Sequence, residues 1–392
     1  MAEPVILSAC RTPIGRYLGG LAPSTAVELG VVAARGALAR AGVDAGGVGD
    51  AIVGNVLSAG LGQAPARQVA LGAGLPPTSS ALTVNMVCGS GLRAVMLAAN
   101  AIAAGEAELV LAGGIESMSN APHLLRGGRA GWKVGDAALV DSMLFDGLTC
   151  AFAHWPMGEA AERTASQCGL ARPELDAFAL ESHRRACQAQ AAGAFEREIV
   201  PVQVEGKKVV TTIRDDEGPR RDTTAAALAA LAPSFRADGL VTPGNSSMIS
   251  DGAAMVVVSS DAHARRLGRA PMARIVASAI SGTDPRDVFL APIGAIRAVL
   301  ARAKLAPEQI DLYEINEAFA AQMLACMRSL ELDPAKVNVH GGAIALGHPI
   351  GASGARVLTT LLFALEKYEK RRGLAALCLG GGNAVAMIVE RD

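Results

Sequence analysis

Hydrophobic and polar positions in the first 115 residues follow two alternating periods. Short apolar runs at 4–10, 51–56 and 108–114 predict buried strands, whereas 25–42, 62–74 and 92–104 carry apolar residues at helical spacing. The first of these helices is expected to end at Gly42, which suits a C-cap. Strands that alternate with helices predict an α/β domain with a parallel, doubly wound sheet.

The pattern changes between about 118 and 248, where prolines, histidine, tryptophan and most of the aromatic residues appear and charges become denser. Residues 158–191 read as helical, and 196–224 carry basic residues among acids. A solvated charged face is the simpler interpretation of these basic residues, and an anion-receiving rim is the alternative. The α/β pattern resumes with an apolar strand at 251–258. The middle segment is therefore interpreted as an insertion of loops and short helices.

The chain also contains an internal repeat. Residues 38–43 recur as 300–305 with a shift of 262 positions, and 88–93 have a counterpart at 351–356 with a shift of 263. Two landmarks with nearly equal offsets predict a duplicated α/β domain with the insertion between its copies. Both glycine-rich turns open helices, so symmetric packing would bring the two helix N-termini together. The sequence therefore predicts a site between the halves.

Composition narrows the classes of protein. The chain has 392 residues, enough for two or three domains, and 51% hydrophobic residues with 44 glycines and 3% aromatics suit α/β layers. Its 36 basic and 37 acidic residues give a net charge of −1, which indicates neither nucleic acid nor an anionic membrane as a partner. Seven scattered cysteines without C-x-x-C spacing argue against a zinc site or a disulfide framework. No signal peptide or membrane span is evident, so a cytoplasmic location is expected.

Cys88 is the first candidate for chemistry. It stands between a run with β propensity and the helix at 92–104, with Gly89 and Gly91 in the turn. At a helix N-terminus, free N–H groups and the helix dipole favour a thiolate and can hold an oxyanion. A buried cysteine that packs as a small hydrophobe fits the same segment equally well.

Three C-terminal segments supply further candidates. Asn316 and Glu317 stand at a predicted strand end, a glycine-dense loop at 340–354 holds His348, and Cys378 is followed by glycines at 380–382. A cysteine and a histidine are the composition of a nucleophile and its base, although a histidine in a glycine loop is more often structural. The glycine run is also compatible with a phosphate cradle. The chain lacks the P-loop and G-x-G-x-x-G patterns, which disfavours nucleotide binding by those routes.

Taken together, these segments resemble the thiolase family, and the resemblance runs from residue 5 to 390. It rests on the motifs at 85–91, 113–118, 316–320, 341–356 and 378–382. The resemblance implies an α/β fold of duplicated βαβαβαββ domains in a layered arrangement with an inserted loop domain. The implied boundaries are 1–118 plus 249–270 for the N-terminal domain, 119–248 for the insertion, which would serve coenzyme A (CoA) binding and oligomerisation, and 271–392 for the C-terminal domain.

The implied reaction is a reversible, ping-pong exchange of acyl groups between CoA thioesters, with cleavage or condensation of 3-ketoacyl-CoA and acetyl-CoA. Cys88 would be the nucleophile and His348 its proton acceptor, while Cys378 would act as acid and base at the α-carbon. His348 and a water held by Asn316 would form one oxyanion hole, and the N–H groups of Cys88 and Gly380 a second. The resemblance implies no cofactor and no metal, since CoA is a substrate and a product.

The resemblance also implies the CoA contacts. Ser247 would bond the pantetheine and Arg220 would lie near the nucleotide, whereas Lys207 and Lys208 are interpreted as solvated charges. The implied contacts are Leu148, Met157, Arg220, Phe235, Pro243, Ser247, Ile249, Ala318 and Phe319. A homo-oligomer is expected, with a tetramer built as a dimer of dimers through part of the insertion at roughly 120–145.

One departure from the family bears on specificity. Many short-chain members carry Tyr-His before the Met-Gly of the insertion, where this chain has Trp155-Pro156, and His154 comes one step too early. The choice between acetoacetyl-CoA and a longer 3-ketoacyl chain stays open. The alternatives are a ketoacyl-synthase-type condensing enzyme, which would lack the second cysteine, and a scaffold without catalysis, which would have lost some of the four catalytic residues.

Overall fold

The computed structural model describes residues 2–206 and 209–391, so Lys207 and Lys208 lie outside the described residues. The predicted alternation of strands and helices in the first 117 residues is confirmed. The elements are β1 (Pro4–Arg11), β2 (Gly15–Arg16), α1 (Ala26–Ala41), β3 (Asp50–Gly54), α2 (Pro65–Gly72), β4 (Ser80–Val84), α3 (Ser90–Ala104) and β5 (Leu109–Ser117). Helix α1 begins at a capping box of Thr25 and Glu28 and ends at Gly42, whose φ of 60° is left-handed, as expected for a C-cap.

The middle segment contains helices of 5 to 20 residues and two small antiparallel sheets. Its elements are β6 (His123–Leu125), β7 (Leu139–Asp141), α4 (Met157–Gln167), α5 (Arg172–Ala191), β8 (Val202–Glu205), β9 (Val210–Ile213) and α6 (Ala225–Ala229). The prediction that residues 158–191 are helical is confirmed except at a break over residues 168–171, which divides the range into α4 and α5. The chain leaves the first helix at Gly169, whose φ is 59°, and Pro173 in the first turn of α5 starts a second.

The second half repeats the first. Its elements are β10 (Ser250–Ser260), α7 (Asp261–Arg266), β11 (Ala273–Gly282), α8 (Ala291–Ala303), β12 (Leu312–Ile315), α9 (Ala320–Ser329), α10 (Ala343–Leu346), α11 (Ser353–Lys367), β13 (Arg372–Leu379) and β14 (Asn383–Glu390). Helices α3 and α11 start 263 positions apart, which matches the repeat read from the sequence. Where β4 pairs with β3 in the first copy, the described part of the second copy has a single parallel bridge between Tyr313 and Val337.

The main sheet has ten strands in the order β12-β13-β14-β11-β1-β10-β5-β3-β4, with β2 paired to β10. Pairing is parallel for β12 with β13 and for β3 with both β4 and β5, and antiparallel for the other pairs. The predicted parallel pairing is therefore confirmed for these three strand pairs and wrong for the centre of the sheet, which is antiparallel. β14 follows β13 through the short turn at 380–382, which makes this pair antiparallel, and β10 returns antiparallel to β5 after the middle segment.

Helices α3 and α11 pack against each other and share the larger hydrophobic core with both halves of the sheet. A Cβ on Gly91 would lie 2.8 Å from the backbone nitrogen of Ala355, and one on Gly354 would overlap the backbone of Leu92. Side chains at these two positions would force the helices apart. The prediction that the two helix N-termini lie close together is confirmed.

One 18-residue window, Val87–Ala104, is apolar and long enough to cross a membrane, with a mean hydropathy of 1.5. More than half of this window, 56%, is buried inside the protein. Its apolar character is that of a core helix, because α3 lies between the sheet and α11.

Candidate active site

An apolar cavity of about 340 Å³ opens where the starts of α3 and α11, the end of β13 and the middle segment meet. Cys88, His348, Cys378 and Gly380 all line it. The remaining walls come mainly from Leu144, Leu148, Met157, Phe235, Val288, Phe289, Phe319 and Ile350. Four of the five predicted catalytic residues therefore meet in one cavity, and the fifth, Asn316, is buried beside His348.

The turn that presents Cys88 is held in an uncommon conformation. Val87 has a φ of 46°, which is costly for a β-branched residue. Its N–H donates to the side-chain oxygen of Asn85 at 3.0 Å, and its carbonyl accepts from the hydroxyl of Ser90 at 2.6 Å. The neighbouring Gly89 has no room for a side chain because Leu379 packs against it. These contacts fix a sharp elbow with the Cys88 thiol exposed to the cavity.

The electrostatics of Cys88 differ from the sequence-based expectation of a thiolate. Burial raises the pKa of the Cys88 thiol to about 11, although the backbone N–H groups of Gly380 and of Cys88 itself act in the opposite direction. Desolvation of the charged form outweighs the local dipoles. The resting residue is therefore a thiol that needs a base. The same two N–H groups reach the sulfur, where they can meet a developing oxyanion.

His348 supplies a neutral imidazole. Burial, and then the charge of Arg356, lower the pKa of His348 to about 3. The Ser353 hydroxyl has one proton and lies 2.9 Å from the carbonyl oxygen of Pro349, which can accept it, so we assign the Nδ1–H of the ring as the donor of the 2.6 Å contact between His348 and Ser353. This leaves the lone pair on Nε2, where His348 can accept a proton.

Cys378 stands near the end of β13 and is buried. Burial raises the pKa of Cys378 well above its usual range, and the nearby sulfurs of Cys88 and Cys326 act in the same direction. Gly380 follows it, and a Cβ there would lie 3.2 Å from a methyl group of Val87. The close approach keeps the Gly380 N–H beside the Cys88 elbow.

Asn316 is buried immediately after β12. Its Nδ2 lies 3.4 Å from both ring nitrogens of His348, and its Oδ1 lies 3.4 Å from a guanidinium nitrogen of Arg356. Its backbone N–H donates to the carbonyl of Ala376 on β13. The amide is therefore tied both to the strand that carries Cys378 and to the imidazole.

Most of the predicted CoA contacts line the same cavity, namely Leu148, Met157, Phe235, Ser247, Ile249, Ala318 and Phe319. Arg220 and Pro243 do not line it, and both are exposed. Arg220 lies by His183, whose Nδ1 accepts from the Arg220 N–H at 3.2 Å. The backbone N–H of Ser247 donates to the carbonyl of Ala318, which joins the middle segment to the Asn316 motif.

Sequence reasoning assigned no role to Glu116, although it lies in one of the quoted motifs. Its buried carboxylate accepts from the backbone N–H groups of Val56, Leu57 and Gly351 at 3.2, 3.2 and 2.9 Å, and from the Asn55 amide at 2.9 Å. It thereby ties the loop after β3 to the turn that follows His348. The signal in the sequence was a single carboxylate in the otherwise uncharged strand β5, all nine residues of which are buried.

The segment Met143–Leu148 contains the predicted contact Leu148, but its other two contributions to the cavity, Leu144 and Gly147, were missed. It forms a π-helical turn that contributes Leu144, Gly147 and Leu148 to the cavity wall. π-Helical turns occur often at functional sites, but no local pattern in the sequence predicts one. Pro156 also lines the cavity, whereas His154 is exposed.

This arrangement can carry out acyl transfer. It joins a thiol on a fixed elbow, a neutral imidazole with a free lone pair, two N–H donors at the thiol and a second buried thiol in an apolar surrounding. Among residues 2–206 and 209–391, no group of three or more His, Cys, Asp or Glu side chains is placed to hold a metal ion.

Two family models cover the chain: "Thiolase, N-terminal domain" matches residues 4–262 and "Thiolase, C-terminal domain" matches residues 269–391. The chain belongs to the thiolase family, and it is an acyltransferase. An acetyl-CoA acetyltransferase of Cupriavidus necator is 50% identical over 392 residues, which is all of both chains.

Solved structures agree with this assignment. A Bacillus anthracis acetyl-CoA acetyltransferase superposes with a TM-score of 0.98 at 40% identity, covering 100% of this chain and 99% of the other. A Syntrophomonas wolfei acetyl-CoA acetyltransferase has a TM-score of 0.98 at 41% identity and full coverage of both chains. The predicted layered thiolase fold is confirmed.

Proposed function

We propose that this thiolase catalyses the reversible, CoA-dependent condensation of two acetyl-CoA molecules and the cleavage of 3-ketoacyl-CoA through an acyl-Cys88 intermediate. The observation that carries the proposal is the meeting of Cys88, Cys378 and His348 in one apolar cavity, beside Asn316. A ketoacyl-synthase-type enzyme has no use for the second thiol. A scaffold has no use for a strained elbow that presents Cys88.

In the first step, Nε2 of His348 takes the proton of the Cys88 thiol as the sulfur attacks the thioester carbonyl. The oxyanion lies between the N–H groups of Cys88 and Gly380. The carbonyl re-forms as the C–S bond to CoA breaks, and the imidazolium returns its proton to the CoA thiolate. The acyl group then resides on Cys88 and free CoA leaves.

In the second step, Nε2 of His348 takes the proton of the Cys378 thiol, and the resulting thiolate removes the α-proton of a second acetyl-CoA. The enolate oxygen accepts from the Nε2–H of the His348 imidazolium and from a water held by Asn316, because an enolate needs fixed donors in a dry site. The enolate carbon attacks the acyl-Cys88 carbonyl, and expulsion of the Cys88 sulfur releases 3-ketoacyl-CoA. The imidazolium returns its proton to the Cys88 thiolate and Cys378 keeps the α-proton, which restores both thiols and the neutral imidazole.

The length of the acyl chains that the enzyme accepts is inferred from the part of the cavity wall that Pro156 forms. Proline has no side-chain donor, and the surrounding side chains of Leu144, Leu148 and Phe319 are apolar. We infer that the enzyme accepts 3-ketoacyl chains longer than acetoacetyl-CoA as well as acetoacetyl-CoA. This would place it in fatty acid metabolism in the wider sense.

The test is thiolysis with free CoA across 3-ketoacyl-CoA substrates of increasing chain length, followed by the loss of 3-ketoacyl absorbance. Turnover of acetoacetyl-CoA and of 3-ketohexanoyl-CoA supports the proposal. No turnover of either substrate by folded protein refutes the enzyme assignment for these substrates, and turnover of acetoacetyl-CoA alone refutes the broader chain length.

We propose that the protein is a homotetramer in the cytoplasm. Large apolar side chains in and beside the β6–β7 hairpin are exposed, including Leu125, Trp132, Val134 and Leu139, and a subunit contact would cover them. All seven cysteines are free, which suits a reducing compartment. Light scattering of the purified protein tests the first point and cell fractionation the second; a monomer or a membrane-fraction protein would refute them.

A further inference from the structure

A buried ion pair stands directly behind Asn316. Arg356 on α11 and Glu314 on β12 are in contact at 2.9 Å, with 1% and 2% of their side chains exposed. Glu314 and Asn316 are two residues apart at the end of one strand, so both face the same side. A second guanidinium nitrogen of Arg356 reaches Oδ1 of Asn316 at 3.4 Å.

The fold does not require this ion pair. The internal repeat places Ile52 and Gly54 of β3 at the positions of Glu314 and Asn316, and Arg93 of α3 at that of Arg356. The first copy thus builds the same strand and helix without the carboxylate or the amide. Burying two charges costs desolvation energy, and apolar side chains often fill such sites as stably. The carboxylate is present only in the copy that carries the catalytic amide.

Hydrogen-bond chemistry explains how the ion pair of Arg356 and Glu314 acts on the Asn316 amide. A guanidinium has five donors and no acceptor, so only the oxygen of the Asn316 amide can face Arg356. That choice turns Nδ2 toward His348, where it is found 3.4 Å from the ring nitrogens. With the amide flipped, its oxygen would face the site and could not donate. Glu314 in turn holds Arg356 in place.

We infer that Arg356 is a positioning residue, which fixes the Asn316 amide as a hydrogen-bond donor toward the enolate site, with Glu314 as its counter-ion. The inference rests on the proposed function, since it concerns the donors of the second half-reaction. Arg356 touches neither substrate nor reacting atoms, because it does not line the cavity. The charge of Arg356 also lowers the pKa of His348, but burial is the larger cause and keeps the imidazole neutral, so the effect of Arg356 on condensation should pass through Asn316.

The experiment separates the two half-reactions. Exchange of labelled CoA into acetyl-CoA reports the acylation of Cys88, and condensation of acetyl-CoA reports both steps. Replacing the whole pair, Arg356→Met with Glu314→Gln, avoids an unpaired buried charge. We expect condensation to fall at least about tenfold, toward the roughly 10²- to 10³-fold loss typical of a removed oxyanion-hole donor, with exchange within about twofold of the parent.

The decisive comparison repeats the pair replacement in an Asn316→Ala background. If Arg356 acts through Asn316, the replacement should change condensation there by no more than about twofold. Thr360→Val is the matched control, because Thr360 lies one turn further along α11 and bonds Glu198 without touching Asn316. It should leave the ratio of condensation to exchange unchanged.

Equal loss in both half-reactions, or the same fold-loss with and without Asn316, would overturn the inference. If the protein with both replacements does not fold, Arg356→Lys is the second test. Lysine keeps the charge but lacks the planar guanidinium, which contacts both Glu314 and Asn316. It should lower condensation selectively, and no selective loss would overturn the inference. Absence of both reactions in the parent protein would instead refute the proposed function.

Discussion

The contact between Ser353 and His348 offers a sharp test of how the base is prepared. Ser353→Ala removes the acceptor of the Nδ1–H, which lies 2.6 Å from the hydroxyl in a buried site. A buried donor left without a partner costs about 1–3 kcal/mol. The ring can avoid this cost by moving its proton to Nε2, and in that tautomer Nε2 cannot accept the proton of Cys88.

At about 1.4 kcal/mol per factor of ten, this cost corresponds to a loss of about 5- to 150-fold in the acylation of Cys88. The assay is exchange of labelled CoA into acetyl-CoA at saturating substrate, so that binding does not enter. Thr359→Val is the control, since Thr359 bonds only the carbonyl of Ala355 within α11. Exchange by Ser353→Ala within twofold of the parent, in a folded protein, would refute the assigned tautomer.

Four further substitutions test the two thiols, a buried histidine and the helix contact. Cys88→Ala should abolish the mass increase with acetyl-CoA, and Cys378→Ser should keep it while losing condensation; an acetylated Cys88→Ala protein would place the nucleophile elsewhere. Burial lowers the pKa of His340 to about 4, so only the unfolded chain gains a proton between pH 6.5 and 4, and stability falls as the pH drops. His340→Phe should therefore recover about 2 kcal/mol of the unfolding free energy lost between pH 7 and 5, measured by urea titration; an unchanged pH dependence would contradict this. Gly354→Ala should cost about 1–3 kcal/mol by overpacking, whereas Gly47→Ala, with open space around its Cβ, should cost much less; equal unfolding midpoints would refute the close helix contact.

The sequence reveals the elements whose signals are local. Apolar periodicity located β1, α1, α3 and β5 to within a few residues, since their burial patterns follow the pattern of side chains. The break between α4 and α5 was missed although Gly169 and Pro173 marked it, because alanine-rich sequence on both sides favours one continuous helix.

The repeat carried information over longer distances. Its offset of 263 residues matched α3 to α11 and predicted that their starts would meet, which the contact of Gly91 and Gly354 confirms. It could not give the strand order. β10 pairs between β1 and β5, and such pairings between remote segments leave no periodic mark in either segment.

Part of the candidate site could likewise be predicted from the sequence, and part is decided only by the tertiary structure. Residue types and spacing were enough to select Cys88, His348 and Cys378, because a nucleophile, a base and the glycine turns beside them can be recognised in the sequence alone. Only the tertiary structure decided their protonation, since the pKa of a group depends on how completely other segments remove it from water. Burial makes Cys88 a thiol and His348 a neutral base. Likewise, the pairing of Arg356 with Glu314 behind Asn316 exists only where α11 packs on β12.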